Sequence, residues 1–282
     1  MSGALYARPT SLEDALEVLA GADAQLLAGG TALTLLRKQG LVERGPTIDL
    51  GGIRGLDGIS EEADGRLVIG AMATLRSIET SPVVRRLAPV LADVVGRVAT
   101  VRIRNQATIG GNLAHADPAQ DPPPILLVLD AEVEIAGPHG RRRLPLDGFF
   151  VDVFETILRP DEILVAIRVP PVAPTSRIGY EKFLPRTADD YATVSVAVRL
   201  DVAADGSFGD VRIALGSAAA VPLRVPAAEA VLRGASPSEA AIAAAAEAVI
   251  AAVDPMDDAR GSADYKREMA GVWTRRLLGS LS

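Results

Sequence analysis

Two Gly-Gly pairs are the residues whose type and spacing best suit chemistry. Gly29-Gly30 and Gly110-Gly111 lie about eighty residues apart. Glycine reaches positive φ angles and has no Cβ to block close approach. Successive backbone N–H groups in such turns form anion-binding nests. Two such turns could hold a diphosphate without lysine or arginine, so the pattern predicts a diphosphate-containing cofactor.

The residues around each pair set the alternatives. The first pair follows a short apolar strand, residues 25–28, and Thr31 stands where an N-cap belongs before a helix through Lys38. The second pair follows residues 107–109 and precedes polar positions. Gly-Gly is also common in simple tight turns. The patterns G-x-G-x-x-G and G-x-x-x-x-G-K-[ST] are both absent, so nicotinamide-dinucleotide and nucleoside-triphosphate folds have no motif here.

Further segments along the chain carry a family resemblance. They are the acidic residue Asp121, the apolar run 125–131, Arg159-Pro160-Asp161-Glu162-Ile163-Leu164, Tyr180-Glu181-Lys182-Phe183, and Ser262-Ala263-Asp264-Tyr265-Lys266-Arg267. With the glycine pairs, they resemble the FAD-binding medium subunit of molybdenum hydroxylases. That group includes the carbon monoxide dehydrogenase medium subunit and the flavin domain of xanthine dehydrogenase. The resemblance covers nearly the whole chain and implies that the cofactor is FAD.

The resemblance implies an α+β fold in two domains. Residues 1–174 would form a two-part FAD-binding domain of the PCMH (vanillyl-alcohol-oxidase-like) type, with subdomains at about 1–56 and 57–174. Residues 175–282 would form a smaller C-terminal domain, a three-stranded antiparallel sheet with helices. The proline-rich segment 170–174 supports a boundary there. Local patterns predict a helix capped by Ser11, a single helix from Ser81 through Val95, strands at 163–169, 178–184, 193–201 and 209–216, and two closing helices.

The resemblance also implies the residues that contact FAD. They are Leu26, Leu27, Ala28, Gly29, Gly30, Thr31, Ala32 and Leu33 in the first segment; Thr108, Ile109, Gly110, Gly111 and Asn112 in the second; His115, Asp117 and Asp121 after it; and Leu164, Lys182 and Tyr191 later in the chain. Leu26 and Leu27 could equally fill a core strand, and Thr108 could be only a strand-end hydroxyl. No catalytic residue and no metal ligand is predicted.

The polar candidates near the second pair have structural alternatives. Asp121 precedes a proline and could be a helix N-cap, or it could contact the sugar-alcohol part of the cofactor, or both. Asp117 could simply open a turn. His115 could hydrogen-bond the diphosphate or cap the turn.

Two later residues are equally open. Lys182 could lie near the pyrimidine end of the flavin and favour its reduced, anionic form, or it could be an exposed strand lysine beside Glu181. Tyr191 could stack over or shield the flavin ring, or it could only pack.

Composition excludes several classes of function. The 282 residues contain no cysteine and two histidines, so cysteine nucleophiles, thiolate metal sites and iron–sulfur ligation are excluded from this chain. The net charge of −7 argues against nucleic-acid binding. No secretory signal or apolar run long enough for a membrane span is visible. These features predict a cytoplasmic protein.

The implied function is electron transfer. The chain would carry FAD and pass electrons from iron–sulfur clusters on a partner to an external acceptor. The implied partners are a small [2Fe-2S] subunit and a large molybdopterin subunit, in a dimer of heterotrimers. The alternatives are a stand-alone PCMH-type flavin reductase or oxidase, and a non-catalytic scaffold.

Overall fold

A computed structural model describes residues 6–21, 23–43, 45–184, 187 and 190–282. The chain begins with a small parallel sheet in the order β1-β3-β2. Its elements are β1 (Tyr6–Ala7), α1 (Leu12–Ala20), β2 (Gln25–Leu27), α2 (Thr31–Lys38) and β3 (Thr47–Asp49). The predicted cap is confirmed, because the Ser11 hydroxyl accepts a 3.1 Å hydrogen bond from the backbone N–H of Asp14. A 3-10 turn at Leu50–Gly52 leads onward.

An antiparallel sheet of order β4-β5-β10-β6-β7 follows. The elements are β4 (Ile59–Glu61), β5 (Leu67–Gly70), α3 (Leu75–Thr80), α4 (Pro82–Leu87), α5 (Pro89–Gly96), α6 (Val101–Arg104), α7 (Ile109–His115), α8 (Pro122–Val128), β6 (Glu132–Gly137), β7 (Gly140–Pro145), β8 (Phe150–Asp152), β9 (Glu155–Thr156) and β10 (Ile163–Val169). Helices α3, α5, α7 and α8 contribute residues to one core with this sheet. We call everything through β10 the N-terminal part.

The single helix predicted from Ser81 through Val95 is wrong, because the chain forms two helices there. Ser81 caps α4, and Ala88 then leaves the helical region at φ −145° and ψ 63°. Pro89 follows, and a proline ring disfavours helical geometry in the residue before it. The break therefore comes from a proline inside an otherwise helical pattern.

The C-terminal part has β11 (Ser176–Phe183), β12 (Val194–Val202), β13 (Phe208–Gly216), β14 (Leu223–Arg224), α9 (Pro226–Leu232), α10 (Glu239–Ala252) and α11 (Ala263–Leu281). The three predicted strands are confirmed as an antiparallel sheet. A short fourth strand, β14, extends that sheet. Neither β14 nor α9 was predicted from the sequence. Strand β14 is only two residues long, which is too short to show a pattern.

The C-terminal sheet is covered on both faces. One face presents Val196, Val198, Ile213 and other apolar residues to a core shared with α9, α10 and α11. The opposite face carries the register row Tyr180–Ala197–Ala214, which belongs to the core of the N-terminal part. Helix α8 packs on that face against β12 and β13. The small residues let the helix approach the sheet closely.

The β6–β7 hairpin carries three consecutive arginines, Arg141, Arg142 and Arg143, and each of them is paired with a glutamate. Glu134 is buried, and its carboxylate accepts hydrogen bonds of 2.9 Å from Arg141, Arg143 and Arg168. Burial acts to raise the pKa of Glu134, but the three arginines outweigh it and lower the pKa to about 2. The cluster thus joins β6, β7 and β10.

We expect Glu134 to make the free energy of unfolding depend on pH in the acidic range. A carboxyl whose pKa is depressed by folding stabilises the protein above its unfolded pKa, and that stability is lost as the pH falls toward the folded pKa. The free energy of unfolding should therefore fall between about pH 4.5 and about 2, by about 1–3 kcal/mol after solvent screening of the exposed arginines. Glu134→Gln should make this slope shallower in urea denaturation, because one carboxyl with a lowered pKa is gone, and the exposed Glu268→Gln should leave it unchanged. Equal slopes in all three proteins would contradict the assignment.

Within the described residues, the longest helices are too polar or too short to cross a bilayer.

Candidate functional site

The first glycine segment is held directly against the chain that precedes the second. A Cβ at Gly29 would lie 1.9 Å from the backbone oxygen of Gln106 and 2.9 Å from the Cα of Ala107. Gly30 has φ +69° and forms the N-cap of α2. The predicted N-cap at Thr31 is wrong, since Thr31 is the first helical residue. The structure therefore brings the two segments together, as a shared binding site requires.

The N-terminus of α2 offers backbone donors. The first N–H groups of a helix have no partner within it, and Gly30 has no side chain with which to cap them. The helix contains no buried residue, and Leu26 and Leu27 of β2 are only half-buried. Leu26 packs in part against a small core, which agrees in part with the core-strand alternative for that residue. Thr31, Ala32 and Leu33 thus supply polar N–H groups beside an incompletely covered apolar surface.

The second glycine pair is helical, which corrects the predicted turn. Thr108 is the N-cap of α7, and its hydroxyl accepts a 3.1 Å hydrogen bond from the N–H of Gly111. The N–H of Ile109 donates to Ala73, and that of Gly110 donates to the carbonyl of Ala71 at 2.8 Å. These N–H groups are used inside the protein. The predicted anion nest at Gly110-Gly111 is therefore wrong, although the pair allows close packing.

Asn112 is the polar side chain of α7 that fits a ligand. Its Oδ1 is buried and has no hydrogen-bond partner among the described residues. Leaving a buried acceptor unpaired costs about 1–3 kcal/mol. A Cβ at the preceding Gly111 would lie 3.4 Å from the Cβ of Ala28, so the first segment runs alongside. FAD carries hydroxyl and N–H donors, so the unpaired oxygen, the donors of α2 and the apolar surface fit this cofactor.

The residues after α7 form a compact turn. The ring of His115 stacks on that of Phe154 with centroids 5.1 Å apart. Burial lowers the pKa of His115, against the opposing charge of Asp117. The carboxylate of Asp117 accepts a 2.9 Å hydrogen bond from the N–H of Ala119, as in an Asx turn. The turn role proposed for Asp117 is confirmed, and a contact with the cofactor stays a prediction for both residues.

Asp121 and Lys182 form a buried ion pair. The side chains are each 4 % exposed, and Lys182 Nζ lies 2.8 Å from Asp121 Oδ2. Asp121 is the N-cap residue of α8, as one alternative predicted, but its side chain makes no capping hydrogen bond. The exposed-strand alternative for Lys182 is wrong, because its side chain is buried. Burial raises the pKa of Asp121, while Lys182 opposes that shift most strongly.

Two other predicted residues have different surroundings. Leu164 on β10 is a buried member of the main core. Tyr191 is 42 % exposed, and the guanidinium of Arg260 lies 5.2 Å from its ring centroid. Burial raises the pKa of Tyr191, and the charges of Asp117 and Asp121 add to the increase. Tyr191 therefore lies within electrostatic reach of the acidic candidates, whereas Leu164 contributes mainly to packing.

A pocket of about 540 Å³ opens beside the ion pair. It is lined by Gly96, Arg97, Ala99, Thr100, Val101, Arg104, Lys182 and Leu184. Ala99 has φ +42°, a strained conformation for alanine. Sequence reasoning singled out Lys182 but missed the loop from Arg97 to Thr100, whose residues carry no motif.

Comparison with known proteins agrees with this geometry. Residues 1–172 match the family described as "FAD binding domain in molybdopterin dehydrogenase", and residues 180–281 match "CO dehydrogenase flavoprotein C-terminal domain". The chain is 38% identical over 277 residues to the carbon monoxide dehydrogenase medium chain of Hydrogenophaga pseudoflava, covering 98% of this chain and 96% of that one. It is 36% identical over 274 residues to the nicotine 6-hydroxylase medium subunit of Paenarthrobacter nicotinovorans, covering 97% and 95%.

A solved structure of carbon monoxide dehydrogenase from Hydrogenophaga pseudoflava, lacking the Mo-pyranopterin moiety of its cofactor, superposes with a TM-score of 0.95. The identity is 39%, and the match covers 99% of this chain and 96% of that one. The fold and the site define an FAD-binding flavoprotein. The chain belongs to the family of FAD-binding medium subunits of molybdenum hydroxylases.

Proposed function

We propose that this chain accepts electrons from iron–sulfur clusters on a partner subunit and passes them through FAD to an external acceptor. The observation that carries the proposal is the direct contact between the two glycine segments, Gly29 against Gln106 and Ala28 beside Gly111. The segment that leads into α2 therefore runs alongside α7, which carries the unpaired acceptor of Asn112. FAD, when bound, supplies the exchange of electrons singly or in pairs.

The residues of the first segment would hold the anionic part of the cofactor. The N–H groups of Thr31, Ala32 and Leu33 point along a helix axis whose N-terminus carries partial positive charge. The small residues before that N-terminus, Ala28, Gly29 and Gly30, leave room for a ligand to approach its N–H groups. From α7, Asn112 would accept a hydrogen bond, while Thr108, Ile109, Gly110 and Gly111 hold α7 in place through their internal hydrogen bonds.

Lys182 would act together with Asp121. A cation held 2.8 Å from a carboxylate presents a dipole rather than a net charge. Its effect on a flavin is therefore weaker and more directional than that of a free lysine. We propose that part of the cofactor occupies the pocket beside Lys182. We also propose that other parts of the cofactor contact Leu164, Tyr191, His115 and Asp117.

The proposed assembly contains a small [2Fe-2S] subunit and a large molybdopterin subunit, in a dimer of heterotrimers in the cytoplasm. Both relatives named above are called a medium chain or medium subunit. The chain itself contains no cysteine, so any iron–sulfur ligation by thiolates must come from partners.

We further propose that the chain divides into two domains, residues 1–174, with subdomains near 1–56 and 57–174, and residues 175–282.

An absorbance spectrum of the chain, expressed alone and then with its partners, tests the proposal. We expect flavin bands at about 370 and about 450 nm in the complex. Bands in the lone chain as well would mean that its own residues suffice for binding. Absence of flavin from both preparations would refute the proposal. Turnover of a small substrate by the lone chain would instead support a stand-alone reductase or oxidase.

A further inference from the structure

Tyr180 lies on the same face of β11 as Lys182, because residues two apart in a strand project to one side. Its side chain is 5 % exposed and belongs to the core of the N-terminal part. The register pairs it with Ala197 of β12. Tyr180 therefore belongs to the C-terminal part of the chain, but its side chain is inserted into the core of the N-terminal part.

The hydroxyl of Tyr180 donates a 2.6 Å hydrogen bond to Asp121 Oδ1, and Lys182 Nζ lies 2.8 Å from Oδ2. Both carboxylate oxygens are thus held from one strand. Arg97 holds the same strand, because its carbonyl accepts from Lys182 at 3.3 Å and its guanidinium donates to the carbonyl of Tyr180 at 3.4 Å. The arrangement fixes the carboxylate in one orientation.

We propose that Tyr180 is a positioning residue for the cofactor site, which orients Asp121 and, through Asp121, holds Lys182. The inference rests on the proposed function, since it takes these two residues as contacts of FAD. It adds a requirement that the family assignment does not contain. The FAD site is complete only when β11 is docked against Asp121, the residue at the start of α8.

The physical basis is the cost of an unpaired buried oxygen. Phenylalanine fills nearly the same volume as tyrosine but cannot donate to Oδ1, so Tyr180→Phe removes a donor and preserves the packing. Hydrogen bonds to charged groups contribute about 1.5–3 kcal/mol. Burial and the negative charge of Asp121 raise the pKa of Tyr180 well above its ordinary value, so the hydroxyl keeps its proton.

The loss of FAD affinity in Tyr180→Phe should also change with pH. The groups that face Asp121 are Tyr180, Lys182, Arg97 and Tyr191. Removing a hydrogen bond to the charged carboxylate raises its pKa further, because the charged form loses a donor. Asp121 then takes up a proton at a higher pH than in the wild type, and the pair with Lys182 is lost earlier on acidification.

The experiment is a titration of FAD into the full chain, or into the assembled complex when the lone chain does not retain flavin. Tyr180→Phe should raise the Kd for FAD at least about tenfold, with a loss that grows as the pH is lowered. The visible circular dichroism of bound flavin should change as well. The control Tyr265→Phe, at a partly exposed ring on α11, should match the wild type.

The same substitution in an Asp121→Asn protein separates a positioning role of Tyr180 from a general loss of structure. In Asp121→Asn protein, adding Tyr180→Phe should change the Kd by less than about twofold, because coupled residues are not additive. A full additional loss there would overturn the inference, as would wild-type affinity and pH profile in Tyr180→Phe alone. A wild-type protein that binds no FAD under any condition would refute the proposed function itself, and the wild-type titration reveals that case first.

Discussion

Gly29→Ala is expected to abolish retention of FAD and to destabilise the protein. The new Cβ would lie 1.9 Å from the backbone oxygen of Gln106, and no flexible side chain can move aside there. The two segments must separate, which displaces the start of α2 from α7. Overpacking of this kind costs about 1–3 kcal/mol. Urea denaturation and FAD titration measure the two effects.

The matched control is Gly279→Ala on α11, where an added Cβ meets no atom within 4 Å. Alanine is favoured over glycine inside a helix by up to about 1 kcal/mol, so this variant should gain stability and bind FAD normally. Wild-type stability and FAD affinity in Gly29→Ala would show that the two segments are not in contact.

Lys182→Met is expected to have the second large effect. It leaves Asp121 buried without its cation, and breaking a buried ion pair from one side costs about 3–5 kcal/mol. The double variant Asp121→Asn/Lys182→Met should regain much of the stability, because no uncompensated charge remains. It should not regain FAD affinity. Chemical denaturation and FAD titration of the three proteins therefore separate folding from binding.

Lys38→Met supplies the comparison for this series, because Lys38 is exposed at the end of α2. A surface substitution of this kind changes stability by less than about 0.5 kcal/mol. If Lys182→Met behaves like Lys38→Met, the buried pair is not present in solution. If the double variant binds FAD like the wild type, the pair serves only the fold.

Much of the fold could be predicted because strands and caps act locally. The apolar run of β10 and the alternation in β12 gave strands at the observed positions. The turn expected at Gly110-Gly111 failed for a tertiary reason. Glycine disfavours helix locally, but the Thr108 cap and the carbonyls of Ala71 and Ala73 satisfy the N–H groups of a helical turn.

The site was only partly visible in the sequence. Family resemblance selected Asp121 and Lys182, yet the residues are far apart in the chain, and nothing local indicates that they meet. In β12, Val194, Val196, Val198 and Leu200 alternate with smaller or polar residues, a pattern typical of one buried face. The structure shows that α8 covers the second face too. Tyr180 gained a role only once that second interface was known.

The contact at Gly29 has a consequence for how such proteins would diverge. The space that glycine leaves there is filled by the backbone of Gln106, so the chain requires glycine whether or not a flavin is bound. A descendant that lost its cofactor would still be selected to keep Gly29. Asn112, whose oxygen has no partner among the described residues, would no longer be under selection and could be substituted. Among distant relatives, the asparagine is therefore a better marker of retained redox activity than the glycine pair.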